Sequence, residues 1–161
     1  MEGFAGRTSV ETLANGFDWA SVNTVVDVGG GWGAVSIDLA QRFPHLRFTV
    51  QDLEHVIADR PKLANDSESN KVQFQAHDFF ATQNLDSDVY YFRYIYHNLP
   101  DESCVKLLRA QIPGMEQRNS EIRPMLMGVL ALKYGAHIII QDAVIPEPRD
   151  VLPSHKEKWR R

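Results

Sequence analysis

Short apolar runs recur along the chain and are separated by segments whose apolar residues are three or four positions apart. The runs, rich in β-branched and aromatic residues, are residues 25–28, RFTVQD, KVQFQAHDFF, DVYYFRYIY at 88–96 and AHIIIQDAVIP. Such runs are typical of buried strands, and the spacing between them is typical of amphipathic helices. Because strands that alternate with helices form right-handed βαβ crossovers, the pattern predicts an α/β fold with a mostly parallel sheet.

The helical segments set the limits of the predicted domain. Residues 1–20 carry apolar side chains at helical spacing, which predicts a lead-in helix up to about Asn15, where Asn15-Gly16 ends it. Helices are also predicted for AVSIDLAQRF, for LEHVIADR and after Pro100. Residues 21–150 form the predicted core, and the short basic end at 151–161 is predicted to be a solvated tail.

The stretch VVDVGGGWG joins the first predicted strand to the first core helix. Glycines suit a turn whose backbone needs positive φ or must let a ligand come close, and the helix that follows points its unpaired N–H groups at that turn. Asp52 ends the second predicted strand, 19 residues after Gly33. An acidic residue roughly 20 residues past such a turn is the usual partner of a ribose diol. The combination predicts a nucleotide or nucleoside site.

Polar residues follow all five predicted strands. They are Asp27 with the glycine turn, Asp52, Asp78, Arg93 with His97, and Asp142. Ligands of parallel sheets bind outside the carboxyl ends of the strands. One rim of the sheet is therefore the predicted binding site.

Composition narrows the classes of partner. The formal net charge of −4 argues against a nucleic acid, whose partners normally carry a basic excess. No apolar run reaches the roughly 18 residues of a membrane span. The single cysteine, Cys104, fits a reduced, cytoplasmic setting. The histidines show no metal-ligand spacing, so no metal site is predicted.

The motifs in their order resemble a known family. VVDVGGGWG, FTVQDLEHV, FQAHDFF, YIYHNLPDESCVKLLRA and GAHIIIQDAVIPEP are similar to successive motifs of the S-adenosylmethionine-dependent small-molecule O-methyltransferases of plants and fungi, the caffeic acid O-methyltransferase type. The fungal natural-product branch is the closer match. The resemblance implies a Rossmann-like class I methyltransferase core with helices on both faces of a five-stranded sheet in the order 3-2-1-4-5.

The resemblance also assigns the cofactor-binding positions. They are Asp27, Gly29, Gly31, Asp52, Leu53, Asp78, Phe79 and Arg93. Gly29 and Gly31 would border the methionine part of S-adenosyl-L-methionine, and Asp52 would hold the ribose hydroxyls. Asp78 with Phe79 would border the adenine, and Arg93 stands where the family often has a lysine.

Two further positions match the catalytic residues of the family. His97, in HNLPDESC, matches the base, and Asp142, in QDAVIP, matches the carboxylate that orients it, although plant members have a glutamate there. A phenol, with a pKa near 10, gives its proton to a neutral imidazole only as its oxygen attacks. A carboxylate on the other ring nitrogen would fix the tautomer and stabilise the imidazolium. The implied reaction is methylation of a hydroxyl of a small phenolic or polyketide-type metabolite.

The chain departs from the family pattern in three places. Family members carry a helical dimerisation region before the glycine motif and two more strands after the fifth, so we expect a chain truncated at both ends that lacks much of the substrate pocket. Residues 116–132 have no counterpart in the family pattern and form an atypical insertion. Within it, PMLMGVLAL is predicted to be a helix whose apolar side chains pack against a hydrophobic core. Strand five then becomes an edge, so 136–142 is expected to pair with another copy of the chain or to be covered by PMLMGVLAL.

Three other interpretations stay open. Gly29, Gly31 and Ala34 also satisfy the dinucleotide pattern G-x-G-x-x-A, although such a site would not explain His97. The second is a catalytically incomplete or partner-dependent subunit that holds S-adenosylmethionine without turnover. A non-methylating cyclase or isomerase on the same scaffold is the third.

Overall fold

The computed structural model describes residues 3–61, 71–116, 122–123, 131–132 and 136–142. Its helices are α1 Gly3–Gly16, α2 Ala34–Arg42, α3 Glu54–Ala58 and α4 Asp101–Glu116. Its strands are β1 Thr24–Val28, β2 Arg47–Asp52, β3 Val72–Ala76, β4 Val89–Arg93, β5 Ile122–Arg123, β6 Ala131–Leu132 and β7 His137–Gln141, and short 3₁₀ helices span Trp19–Ser21 and Tyr96–Asn98. The predicted lead-in helix corresponds to α1, whereas the predicted tail at 151–161 lies outside the described residues.

The strands form one sheet in the order β3-β2-β1-β4-β7-β6-β5. The pairings from β3 to β7 are all parallel; Val26 of β1, for example, lies opposite Thr49 of β2 and Tyr90 of β4. Since β7 is the fifth predicted strand, this part of the sheet confirms the predicted order 3-2-1-4-5. Parallel strands end at the same edge, so the residues that follow these five strands meet at one rim.

The last predicted strand is not the outer edge of the sheet. Ala131–Leu132, at the end of PMLMGVLAL, forms β6 and pairs antiparallel with β7 at Ala131 and His137. The prediction of five strands with an exposed edge at 136–142 is therefore wrong, whereas its alternative, that PMLMGVLAL covers this strand, is confirmed for the last two residues of that segment. These two residues are strand rather than helix, because the backbone of β7 gains a hydrogen-bonding neighbour. Residues 117–121 and 124–130 of the predicted insertion lie outside the described residues. Homodimerisation through 136–142 stays a prediction.

Each face of the sheet buries its own apolar cluster. On one face Val25 of β1 packs with Leu13 of α1 and Leu39 of α2. On the other face Val26 packs with Leu107 of α4. Burial on both faces explains why consecutive positions of β1 are apolar, and it confirms helices on both sides of the sheet. None of the helices among the described residues is long and apolar enough to cross a membrane.

Two strands end earlier than the sequence predicts. β4 stops at Arg93 rather than at residue 96, because Tyr94 adopts a φ of 55°, in the left-handed region that strands do not use. β3 stops at Ala76, and the following turn is closed by a hydrogen bond from the Ala81 N–H to the Asp78 carbonyl. Because both strands end early, Asp78 and the residues that follow Tyr94 lie outside the strands, at the rim of the sheet.

Candidate active site

The turn between β1 and α2 depends on glycines with positive φ. The φ angle is +68° at Gly29, +60° at Gly31 and +73° at Gly33, values that other residues adopt only at a cost. A Cβ on Gly29 would lie 2.7 Å from Ile95 Cδ1, and one on Gly33 would lie 3.0 Å from Val50 Cγ2. Gly31 has no atom within 4 Å of its Cβ position, so its backbone alone requires glycine. The turn is thus packed tightly at both ends and accessible in the middle.

Asp52 fastens this turn to the end of β2. The Gly31 N–H donates to Asp52 Oδ2 at 2.8 Å, and the Leu53 N–H donates to Asp52 Oδ1 at 2.8 Å. Each carboxylate oxygen keeps a further lone pair, and the side chain is only half-buried. A fixed carboxylate of this kind can accept hydrogen bonds from two neighbouring hydroxyl groups.

Asp27 lies beneath the turn instead of facing solvent. It is 3% exposed, and Ser36 Oγ at the start of α2 donates to its Oδ2 at 2.6 Å. A Cβ on Gly30 would lie 2.5 Å from Asp27 Cγ, so the backbone of the turn rests on the carboxylate. Burial raises the pKa of Asp27 to about 6, although the Ser36 hydrogen bond and the charge of Arg93 oppose the shift. From this position Asp27 supports the turn.

The loop after β3 brings Asp78 and Phe79 towards the turn. Asp78 is exposed, and its Oδ1 accepts the Phe80 N–H at 2.8 Å, so one carboxylate oxygen caps the loop. Phe79 is half-buried, and its ring carbon Cδ1 lies 3.6 Å from the Cβ position of Gly29. Of the two predicted adenine residues, Phe79 therefore lies next to the glycine turn, and Asp78 precedes it in the same loop.

Tyr94 lies between Arg93 and the 3₁₀ helix that carries His97. The Arg93 guanidinium carbon is 4.8 Å from the Tyr94 ring centroid, and the ring meets that of His97 edge to face at 6.1 Å between centroids. Arg93 Nε is buried without a hydrogen-bond partner among the described residues. Arg93 also borders a cleft of about 460 Å³ beside α1 and α2. Tyr94 itself is 48% exposed and forms part of the rim.

Asp142 holds His97 at two points. Asp142 Oδ1 is hydrogen-bonded to His97 Nδ1, and Asp142 Oδ2 accepts the His97 backbone N–H at 3.1 Å. The side chains are 27% and 14% exposed. With Nδ1 committed to the carboxylate, Nε2 is the ring nitrogen that remains for chemistry.

The predicted site residues thus share one edge of the sheet, at the ends of β1, β2, β3, β4 and β7, with Asp27 below the others. Among the described residues no three histidine, cysteine, aspartate or glutamate side chains are grouped as a metal site requires.

Sequence reasoning missed the buried polar residues that support the rim, namely Ser36, Gln51, Gln83 and Gln111. One signal was present in α4, where Gln111 lies four residues after Leu107 and interrupts the apolar stripe of the helix. The chain carries no comparable signal for Gln83, which lies in a loop.

Comparison with known sequences matches residues 5–118 to the O-methyltransferase domain family. The O-methyltransferase of the grayanic acid biosynthesis cluster of Cladonia grayi is 42% identical over 156 residues, which is 93% of this chain and 30% of that protein. The 6-hydroxytryprostatin B O-methyltransferase of Aspergillus fumigatus is 34% identical over 152 residues, covering 94% of this chain and 39% of that protein. The chain spans about a third of the length of these curated relatives.

Solved structures agree with this match. CalO1, a methyltransferase in calicheamicin biosynthesis solved in an SAH-bound form, superimposes with a TM-score of 0.66 at 25% identity, covering 97% of this chain and 42% of that one. TnmH superimposes with a TM-score of 0.62 at 29% identity, covering 72% of this chain and 35% of that one. On its sequence, its strand order and these likenesses, the chain belongs to the O-methyltransferase domain family.

Proposed function

We propose that this chain binds S-adenosylmethionine at the rim and transfers its methyl group to a hydroxyl of a small phenolic or polyketide-type metabolite. The observation that carries the proposal is the position of His97, held by Asp142, on the same rim as the glycine turn and Asp52. Membership of the O-methyltransferase family supports both the cofactor and the reaction.

The residues of the rim fit the cofactor. No atom lies within 4 Å of the Cβ position of Gly31, and both oxygens of Asp52 are fixed by backbone N–H groups, which suits a ribose diol. Arg93, at the end of β4, supplies a positive charge at the rim, and its buried Nε has no hydrogen-bond partner among the described residues. When bound, S-adenosylmethionine supplies a methyl group that its sulfonium has already activated.

His97 is the proposed general base. Asp142 keeps Nδ1 occupied, so Nε2 takes the proton of the acceptor hydroxyl as its oxygen becomes nucleophilic. The carboxylate then stabilises the positive charge on the ring. The second bond, from the backbone N–H of His97 to Asp142, fixes the position of the His97 backbone at the rim.

The acceptor class is proposed from the relatives and the exposed rim aromatics. The relatives from Cladonia grayi and Aspergillus fumigatus are named for grayanic acid biosynthesis and for 6-hydroxytryprostatin B. Trp32 in the glycine turn is 55% exposed and Tyr94 is 48% exposed, and such rings suit contact with a flat aromatic acceptor. We place the reaction in the cytoplasm.

Calorimetry with S-adenosylhomocysteine tests the cofactor site. We expect Asp52→Asn to weaken binding by at least about tenfold, because hydrogen bonds to charged groups contribute roughly 1.5–3 kcal/mol. Asp59→Asn, an exposed aspartate at the end of α3, is the matched control and should bind like the parent. Binding of a nicotinamide dinucleotide in place of S-adenosylhomocysteine would overturn the proposal.

Turnover of a panel of phenols tests the base. We expect His97→Gln to lower the rate of methyl transfer by about 100-fold or more, with cofactor affinity unchanged. His55→Gln, at an exposed position of α3, is the control. Cofactor binding without turnover would instead favour the binding or partner-dependent subunit, and product formation without S-adenosylhomocysteine would favour the cyclase or isomerase.

A further inference from the structure

Three buried glutamines form a continuous line of hydrogen bonds beneath the rim. Gln51 of β2, Gln83 of the loop after β3 and Gln111 of α4, here called the glutamine chain, are 1%, 1% and 0% exposed. Gln51 Nε2 donates to Gln83 Oε1 at 3.1 Å, and Gln83 Nε2 donates to Gln51 Oε1 at 2.8 Å and to Gln111 Oε1 at 3.1 Å. Residues 28 to 32 positions apart in the sequence are thereby joined.

Each end of the glutamine chain reaches a backbone segment of the candidate site. At one end the N–H groups of Gly29 and Gly30 donate to the Gln51 carbonyl at 2.8 and 3.1 Å. At the other end Gln111 Nε2 donates to the Phe79 carbonyl at 3.1 Å. The glycine turn and the loop with Phe79 are therefore connected through the protein interior as well as across the rim.

Helix α4 is held close to the loop so that these bonds can form. A Cβ on Gly114 would lie 2.5 Å from the Leu85 carbonyl oxygen and 2.7 Å from Gln83 Cγ. The Gln83 N–H also donates to the Ala110 carbonyl at 2.8 Å. Gly114 thus permits an approach that any larger residue would prevent.

Filling this space with amide side chains adds little to the stability of the folded chain. A buried amide contributes little net stability when satisfied and costs about 1–3 kcal/mol when a partner is lost, whereas apolar side chains would fill the same volume without that risk. What the amides add is a fixed distance and direction between the groups they join.

We propose that the glutamine chain is a positioning device that fixes the Phe79 carbonyl relative to the glycine turn and so sets the selectivity of the site for adenine. The inference rests on the proposed function and on the adenine position beside Asp78 and Phe79 that the family resemblance implies. Gln111 is the positioning residue at the loop end, and it acts through the peptide group it holds rather than by touching the ligand.

The test compares S-adenosylhomocysteine with S-inosylhomocysteine, which differ only at the base. We expect Gln111→Met to weaken S-adenosylhomocysteine by about tenfold and to weaken the inosine analogue much less, so that the preference for adenine falls. A merely structural role would weaken both ligands equally and would overturn the inference. If the parent chain binds neither ligand, the proposed function fails and the inference fails with it.

Gln75→Met is the matched control. Gln75 of β3 accepts Gln51 Nε2 at 2.9 Å, but it does not lie between Gln51 and Phe79. The same substitution there removes one bond of Gln51 and leaves the bonds from Gln83 through Gln111 to Phe79 in place, so the preference for adenine should stay within about twofold of the parent. An equal loss of preference in both variants would contradict a specific role of Gln111.

Hydrogen exchange in the unmodified chain gives a second test that does not depend on a variant folding. The N–H groups of Asn84 and Leu85 donate to Gln83 Oε1 at 3.1 Å. We expect S-adenosylhomocysteine to slow their exchange, while the Leu46 N–H, bonded to the Phe43 carbonyl, exchanges as before. Unchanged exchange at Asn84 and Leu85 in the bound chain would overturn the inference.

Discussion

Asp142 binds His97 through both of its carboxylate oxygens, one to the ring and one to the backbone N–H. The two residues are 45 positions apart in the sequence and meet because β4 and β7 are parallel neighbours. The bond to the backbone fixes where the imidazole stands, and the bond to the ring fixes which nitrogen is available.

Asp142→Asn should separate these two effects. The amide oxygen can still accept a hydrogen bond, but the neutral side chain cannot stabilise a positive imidazole. We expect kcat to fall by about 100-fold while the dissociation constant of S-adenosylhomocysteine stays within about twofold of the parent. Stopped-flow kinetics and calorimetry on the same preparations measure the two quantities, and a parallel loss of both would show that Asp142 maintains the whole rim.

Asp27→Asn should make the folded chain more stable at neutral pH. Burial raises the pKa of Asp27 from 3.8 to about 6, so the folded state binds the proton more tightly than the unfolded state does. The stability from this group is therefore present below about pH 4 and is lost as the pH rises through about 6, a loss on the order of 3 kcal/mol. Urea unfolding at about pH 5 and about pH 7.5 should show this dependence in the parent and not in Asp27→Asn. An unchanged pH dependence would refute the shift, and Asp59→Asn is the control.

The glycines of the turn should differ in how much they tolerate a side chain. Gly31→Ala meets no neighbouring atom and costs only the positive φ, about 1–2 kcal/mol. Gly33→Ala has the same backbone cost and also brings its Cβ to 3.0 Å from Val50 and Phe74, so its free energy of unfolding should fall further. Thermal unfolding of both variants measures the difference. Equal losses would mean that the sheet relaxes around residue 33.

Tyr94 should show the cost of its backbone conformation. Asparagine tolerates the left-handed region and a β-branched residue does not, so Tyr94→Val should be about 1–2 kcal/mol less stable than Tyr94→Asn. Both variants lose the ring between Arg93 and His97 and should lose methyl transfer alike. Chemical denaturation decides the first point, and two variants of equal stability would show that the φ of 55° stores no strain.

The parallel sheet and the rim could be read from the sequence because both follow from local patterns and general topological rules, whereas the strand order was implied by the family resemblance. β1, its glycine turn and Asp52 lie close together in the sequence, so their spacing was informative. The early end of β4 could not be read, because Tyr94 is a good strand former by composition and only its tertiary setting imposes the positive φ.

The glutamine chain and the strand conformation of residues 131–132 were not predicted, for a related reason. Gln51 and Gln83 are unremarkable in the sequence, and they become a unit only when α4 closes on the loop. Likewise Ala131 and Leu132 form a strand because β7 offers an unpaired backbone, not because of their own propensities.

The cofactor-binding groups and the catalytic pair proposed here lie at the ends of different strands of the sheet. The groups assigned to the nucleoside follow β1, β2 and β3, which are consecutive in the chain, whereas the proton-accepting pair depends on the later contact between β4 and β7. A substitution that shifts β7 against β4 would therefore displace Asp142 from His97 before it affected the groups assigned to the nucleoside.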